Sequence, residues 1–277
     1  MKALHRALAE AARTLAPSSD TARLDAELLM AEALGIDRDR LLLAPPERAV
    51  PERFWAMVER RRAGEPVAYI TGRRAFWDIE LHVGPGVLIP RPDSETLIAA
   101  ALEHFGGRSP PARILDLGTG PGTLLLAALD LWRDARGLGV DASRRALSYA
   151  AANARRLGLD ERVEWRLGDW AVGIEDCFDL VLCNPPYVAT DAALGPGVAE
   201  HEPAEALFAG PHGLDDYRRI APQIGGLLCS GGLAAIEIGA DQAESAAAIF
   251  RSAGLDPRVA RDLADRPRAL LIQGHEN

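Results

Sequence analysis

The residues with the most chemical content are Asn184-Pro185-Pro186-Tyr187, which directly follow the apolar run FDLVLC. Two prolines end a strand and stiffen the backbone, and neither carries an N–H that would occupy a nearby carbonyl. Asn184 adds a side-chain carbonyl at the strand end. This set suits one chemical problem. A planar amide or aniline-like nitrogen is a poor nucleophile because its lone pair is delocalised. Two acceptors on its two N–H groups, here the Asn184 side-chain oxygen and the Pro185 carbonyl, orient it and favour a more tetrahedral nitrogen. Tyr187 can pack on the flat group. Catalysis of this kind is positioning and electrostatics and needs no strong base. The bland alternative is a rigid turn after a core strand.

A second constellation lies upstream. The run ARIL leads into Asp116-Leu117-Gly118-Thr119-Gly120-Pro121-Gly122. Gly118 permits a tight turn, and Gly120 and Gly122 let the backbone approach a ligand that a Cβ would block. The form is G-x-G-x-G, with Thr123 where the dinucleotide form needs glycine. The loop therefore suits a nucleoside without a pyrophosphate better than NAD. Asp141 ends the next apolar run, at the distance where a carboxylate accepts from ribose hydroxyls; a helix-capping Asp is its structural alternative. Asp169 could accept from an adenine amino group and Trp170 could lie against the ring. A capping Asp and a packing Trp remain equally open.

These groups must be held at the ends of strands. From about residue 113 the sequence alternates strand, turn and helix: ARILDLG, TLLLAALDLW, GLGVDAS, RRALSYAAANARRLG, RVEWRLGD, FDLVLC, GLDDYRRIAPQIGGLL, GGLAAIEIG, DQAESAAAIFRSAG and RALLIQ. Alternation of this kind predicts an α/β fold, a mostly parallel sheet with helices on both faces. Residues 2–64 read as helices. Leu4, Ala7, Leu8 and Ala11 recur at helical spacing, as do Leu24, Leu28, Ala31 and Leu34, with Asp20 as cap and Gly35 as stop. A third helix is expected from Pro51 to Arg62. AFWDIELHV alternates as a half-buried strand in a hairpin. The expected organisation is a helical domain over 1–75, a hairpin linker over 76–92 and an α/β domain over 93–277.

The chain has 277 residues and a formal net charge of -9. That balance argues against sequence-independent binding to a phosphate backbone. Three cysteines, none in a C-x-x-C pair, suggest neither a disulfide framework nor zinc. The six histidines show no metal spacing, so no metal is expected. Charges within the N-terminal apolar stretch argue against a signal peptide, and no apolar run has the length of a membrane span. A cytoplasmic protein is expected.

Nearly the whole chain resembles the protein-(glutamine-N5) methyltransferases of the PrmC/HemK type, which modify class I peptide-chain release factors. The resemblance is carried by EPVAYITGRRAFWDIELHV, LIPRPDSETLI, LDLGTGPGTLLLAAL, VDASRRALSYAAANARRLG, NPPYV, HEPAEALFAGPHGLDDYRRI and IEIGADQ. It implies a Rossmann-like, S-adenosylmethionine-dependent methyltransferase domain with a mostly parallel seven-stranded sheet, and an N-terminal helical domain that recognises the substrate. The substrate it implies is the glutamine of a release factor's Gly-Gly-Gln loop, with S-adenosylhomocysteine as product. Carried over, Gly118, Thr119, Gly120, Pro121 and Gly122 form the cofactor loop, Asp141 holds the ribose, and Trp170 borders the adenine. Asn184, Pro185, Pro186 and Tyr187 hold the glutamine amide. Pro121 departs from the family, which usually has a small hydroxyl residue there; PRPDSE and Asp265-Arg266-Pro267 depart as well. Arg91 and Glu95 either line the substrate pocket or pair to lock the linker, and His201 and Glu202 either shape the pocket or lie on a solvated loop. A monomer that binds neither nucleic acid directly nor a membrane is expected.

Two other readings use the same motif. Nucleic-acid methyltransferases acting on adenine also need to orient an amino nitrogen, but they must extrude the base and need a basic surface; here 31 basic residues face 40 acidic ones. A non-catalytic cofactor binder would have no use for an amide-orienting pocket.

Overall fold

The structure, a computed structural model, describes residues 2–274. It divides into two compact units: residues 1–73 with 193–202, and residues 74–192 with 203–277.

In the first unit, α1 (Lys2–Leu15), α2 (Ala22–Leu34), α3 (Arg38–Leu43), α4 (Glu52–Arg62) and α5 (Val67–Thr71) surround one apolar cluster. Leu4, Ala7, Leu8, Ala11 and Leu15 of α1 are all buried, as their spacing predicts. The inward face of α2 differs from the expected one. Ala26, Leu29, Met30 and Ala33 are buried, whereas Leu24 is 40% exposed. The reason is that Asp25 and Glu27 also face inward, each met by arginines, so apolar periodicity alone misplaces the face. Asp20 does not cap α2; the cap position is Thr21, and Gly35 ends the helix in the left-handed conformation at φ 66°. α3 and α5 carry too little periodicity to be read as helices.

The expected hairpin strand is a ribbon, β1 (Arg73–Phe76) and β2 (Ile79–His82), broken at Trp77, whose φ is +51°. The second unit continues with α6 (Glu95–Phe105), β3 (Arg113–Leu117), α7 (Thr123–Leu131), β4 (Arg136–Asp141), α8 (Arg144–Leu157), β5 (Val163–Leu167) and β6 (Phe178–Cys183). The inserted α9 (Val198–His201) belongs to the first unit. Then follow α10 (Asp215–Leu227), β7 (Leu228–Glu237), α11 (Ala243–Ser252), β8 (Arg258–Arg261) and β9 (Pro267–Gln273). β8 was not foreseen: three of its four residues are exposed and it has no apolar pattern.

The seven strands run in the order β5-β4-β3-β6-β7-β9-β8. The first five pair in parallel, while β9 is antiparallel to both β7 and β8. Central strands covered on both faces become continuous apolar runs, and β3 and β6 are accordingly almost wholly buried. The main core joins these strands to Tyr217, Ile220 and Ile224 of α10 and Phe250 of α11. Cys177 and Cys229 form a disulfide with a Cα–Cα distance of 5.0 Å. Cysteine spacing did not suggest it. The pairing of β6 with β7 brings Cys177, just before β6, near Cys229 at the start of β7 although 52 residues separate them, at a point where the register between the two strands is irregular.

Candidate functional site

The chain crosses from one side of the sheet to the other between β3 and β6, and the crevice outside the carboxyl ends of such strands is where ligands bind in open α/β sheets. A cavity of about 690 Å³ lies there, walled by the loops after β3, β4, β5 and β6. Gly118, Thr119, Gly120, Pro121, Asp141, Asp169, Trp170, Asn184 and Pro186 all line it. Three sequence-nominated residues do not: Gly122, Pro185 and Tyr187.

The loop after β3 is held open by its own backbone. Gly118, Gly120 and Gly122 have φ of 70°, 56° and 89°, values that a side chain would strain. The N–H groups of Gly118 and Thr119 both donate to the Val140 carbonyl, at 2.9 and 3.0 Å. A Cβ on Gly120 would meet nothing within 4 Å, so this backbone is bare toward the cavity. Gly122 serves a different end: a Cβ there would come within 2.7 Å of Leu126, so it permits the first turn of α7 to pack. Pro121 costs one donor, but its carbonyl accepts from Asn153 Nδ2 at 2.9 Å.

Asp141 accepts from the Gly120 N–H on one oxygen and the Ser143 N–H on the other, both at 2.8 Å. Each oxygen keeps a lone pair for a ligand hydroxyl. Burial raises its pKa despite those two donors. Trp170 has φ +50°, and its ring lies over the loop, 3.2 Å from where a Gly118 Cβ would sit. Asp169 is ion-paired with Arg219 and its side chain is 61% exposed. Asp116 was not singled out from sequence. It is buried in the cavity wall; Oδ2 accepts from Thr119 Oγ1 at 2.6 Å, and Oδ1 has no hydrogen-bond partner. Burial pushes this carboxyl up to about 7. A lone carboxylate in a run of buried apolar residues was the signal that could have found it.

The fourth loop presents Asn184. Its Nδ2 donates to Ser94 Oγ at 3.1 Å, which leaves the amide oxygen without a hydrogen bond among the described residues. The Pro185 carbonyl likewise accepts none there. Tyr187 turns inward: its hydroxyl donates to Glu237 Oε1 at 3.0 Å and its carbonyl accepts from Gln242 Nε2 at 2.9 Å. The ring packs on the core rather than in the cavity wall. Ser94, Glu237 and Gln242 were missed by sequence reasoning.

Arg91 and Glu95 separate. Arg91 lines the cavity, whereas Glu95 accepts from the Trp77 N–H at 3.0 Å and so fastens the ribbon turn to the start of α6. His201 and Glu202 are not in this wall. They belong to the first unit, where His201 lies beside Gly64 and Glu65. Among the described residues no group of three His, Cys, Asp or Glu side chains could hold a metal ion.

A glycine loop after the first parallel strand, a carboxylate ending the second, and an acceptor-bearing turn after the fourth place the second unit in the class of α/β methyltransferases. Residues 109–212 match the family model described as "Methyltransferase domain", and residues 6–72 match "PrmC N-terminal domain". A methyltransferase structure from Pyrococcus furiosus aligns with a TM-score of 0.55 at 16% identity, covering 80% of this chain and 98% of that one, a likeness of fold. Among curated proteins, the release factor glutamine methyltransferase of Caulobacter vibrioides is 42% identical over 91% of this chain and 89% of its own. That of Moorella thermoacetica is 39% identical over 99% of both. The chain belongs to the release factor glutamine methyltransferase family.

Proposed function

We propose that this protein transfers a methyl group from S-adenosylmethionine to the side-chain amide nitrogen of the glutamine in the Gly-Gly-Gln loop of a class I peptide-chain release factor. The observation that carries the reading is Asn184, set with a free amide oxygen in the wall of the same cavity as the glycine loop and Asp141. The cofactor fits the residues present. Bare backbone at Gly120 admits a nucleoside, Asp141 has lone pairs for the ribose hydroxyls, and Trp170 offers a face to the adenine. The unpartnered Asp116 oxygen suits the ammonium of the amino-acid end.

When bound, S-adenosylmethionine supplies a methyl group on a positively charged sulfur. The protein's own part is orientation. Asn184 Oδ1 and the Pro185 carbonyl accept from the two N–H groups of the glutamine amide, turn its lone pair toward the methyl, and hold the nitrogen as its new bond to carbon forms. The carbon–nitrogen bond would form as the methyl's bond to sulfur breaks, and the nitrogen would then lose one proton to water. Pro186 narrows the cavity beside them. The helical unit, matched by its own family model, serves to recognise the protein substrate. No helix among the described residues is long and apolar enough to cross a membrane, which fits a substrate met in the cytoplasm.

The test is transfer from radiolabelled S-adenosylmethionine to a purified class I release factor, beside the same factor with its Gly-Gly-Gln glutamine changed to alanine. Label on the first alone is expected. Label on neither, with cofactor binding intact, overturns the substrate assignment.

A further inference from the structure

The run IEIGADQ has no part in the chemistry described so far. Its last residue, Gln242, lies between β7 and α11 and does not line the cofactor cavity. Its side chain is nonetheless occupied at both ends. Oε1 accepts from the Gly239 N–H at 3.1 Å and from the Tyr217 hydroxyl at 3.3 Å. Nε2 donates to the Tyr187 carbonyl at 2.9 Å and, over longer distances, to the carbonyls of Gly213 at 3.3 Å and His212 at 3.4 Å. A backbone N–H only donates and a carbonyl only accepts. These partners therefore fix which end of the carboxamide faces which segment. The oxygen holds the turn after β7, and the nitrogen joins Tyr187 to the loop before α10. That loop is fitted to the same atom. Gly213 is buried at φ +65°, and a Cβ there would come within 2.1 Å of the Tyr187 oxygen and 2.8 Å of Gln242 Nε2.

What the Tyr187 carbonyl controls follows from the two prolines. Their rings fix φ at 185 and 186, and they have no N–H with which to tie the turn down. The path of the turn is then set by its ψ angles and by how its two ends are held. One end is Cys183, paired with Ile236 inside the sheet. The other is Tyr187, held by its hydroxyl on Glu237 Oε1 at 3.0 Å and by its carbonyl on Gln242. Asn184 Oδ1 and the Pro185 carbonyl lie within this span.

We propose that Gln242 is a positioning residue for methyl transfer: by holding the Tyr187 carbonyl against the loop at 212–213, it sets the spacing of the two acceptors that receive the substrate amide. The inference rests on the reading of Asn184 and Pro185 as those acceptors. Gln242 is outside the cavity wall, so its loss slows the chemical step and leaves the binding of S-adenosylmethionine as it was.

The experiment measures methyl transfer by the full chain to a class I release factor at saturation, with S-adenosylmethionine varied, at pH 8.5, and kcat taken per folded molecule. Gln242→Met keeps the length of the side chain and removes both hydrogen-bonding ends. Gln242→Glu keeps its shape and the acceptor toward Gly239, but sets an ionised oxygen against the Tyr187 carbonyl. Both should lower kcat about tenfold, since small displacements of the groups that hold a substrate cost this much or more. KM for S-adenosylmethionine should stay within twofold. The order of the two variants separates positioning from packing. If Gln242 only filled space, the closer mimic Gln242→Glu would keep more activity than Gln242→Met; it should keep no more. Gly213→Ala crowds the same carbonyl and should give the same split between kcat and KM, and it carries the test if urea unfolding shows the Gln242 variants to be unfolded. A kcat within twofold of native in folded Gln242→Met overturns the proposal. So does a Gln242→Glu clearly more active than Gln242→Met, or a raised KM at unchanged kcat. If Asn184→Ala abolishes transfer while the Gln242 variants behave as the native enzyme, the positioning role fails and the reading of Asn184 stands. If Asn184→Ala transfers normally, that reading fails and takes the positioning role with it.

Discussion

The two units bury carboxylates in opposite ways. In the helical unit, Asp25 accepts from Arg61 Nε at 2.7 Å and from the hydroxyls of Ser19 and Thr21 at 2.7 and 2.9 Å. Glu27 is met by Arg23 at 2.6 Å and Arg38 at 2.7 Å. Burial alone would raise Glu27, but the two guanidiniums outweigh it and hold the group below its ordinary range. In the α/β unit, Asp116 and Glu237 have no arginine in hydrogen-bonding contact, and each keeps one oxygen with no partner at all. There burial wins, and both are pushed up to about 7. A buried charge that is paired completes a structure; one left short of partners is costly unless a ligand or a proton satisfies it. The contrast separates the unit whose polar interior is closed from the unit whose polar interior is open to chemistry.

Breaking a closed pair is expected to have the largest effect. Arg61→Met leaves Asp25 buried with two hydroxyls and no cation. It should destabilise the full chain by about 3 kcal/mol, measured by urea unfolding, with the affinity for S-adenosylmethionine within twofold of native. Arg62→Met is the control: the Arg62–Glu59 pair is more than half exposed on both sides and should cost under about 0.5 kcal/mol. Equal effects from the two variants would remove the distinction between buried and surface pairs.

Much of the open half was visible in the sequence, for a physical reason. A parallel strand covered on both faces must be an apolar run, and the turn at its carboxyl end must carry the residues that face a ligand, so the glycine loop, Asp141 and Asn184 could each be placed at a strand end. What was missed lies where a side chain's role depends on a distant element. Ser94 and Asn184 are 90 residues apart, and Tyr187 and Glu237 are 50 apart; no local pattern joins them. The assignment of residues 193–202 to the helical unit and the Cys177–Cys229 bond are of the same kind. A carboxylate inside AAIEIG or RILDLG was nonetheless readable as an anomaly, because burying it demands an explanation.

The open carboxylates should also make stability depend on pH in a stated direction. A group whose pKa is raised on folding binds its proton more tightly in the folded state. Its stabilising protonation is complete below the unfolded value, about 4 for a carboxylate, and is lost as pH rises through the folded value near 7. Native protein should therefore lose stability, relative to Glu237→Gln, by about 1–2 kcal/mol between pH 6 and 8.5. Parallel curves for the two proteins would place Glu237 among the satisfied carboxylates and erase the contrast with Glu27.

Asp141 sharpens the comparison most finely, because it belongs to neither kind. Its oxygens are satisfied by two backbone N–H groups at 2.8 Å rather than by a cation, and they keep lone pairs toward the cavity. Asp141→Asn preserves one acceptor but turns the other position into a donor, which must face either the Gly120 N–H or the Ser143 N–H. One of those contacts is lost, and so is one charge-assisted bond to a ribose hydroxyl, worth about 1.5 kcal/mol. Affinity for S-adenosylmethionine, measured by calorimetry, should fall about tenfold, while the urea midpoint moves less than in Arg61→Met. A variant that binds the cofactor as the native protein does would leave Asp141 as a brace between Gly120 and Ser143, the residue that caps α8, and the ribose would have to be held by some other edge of the cavity.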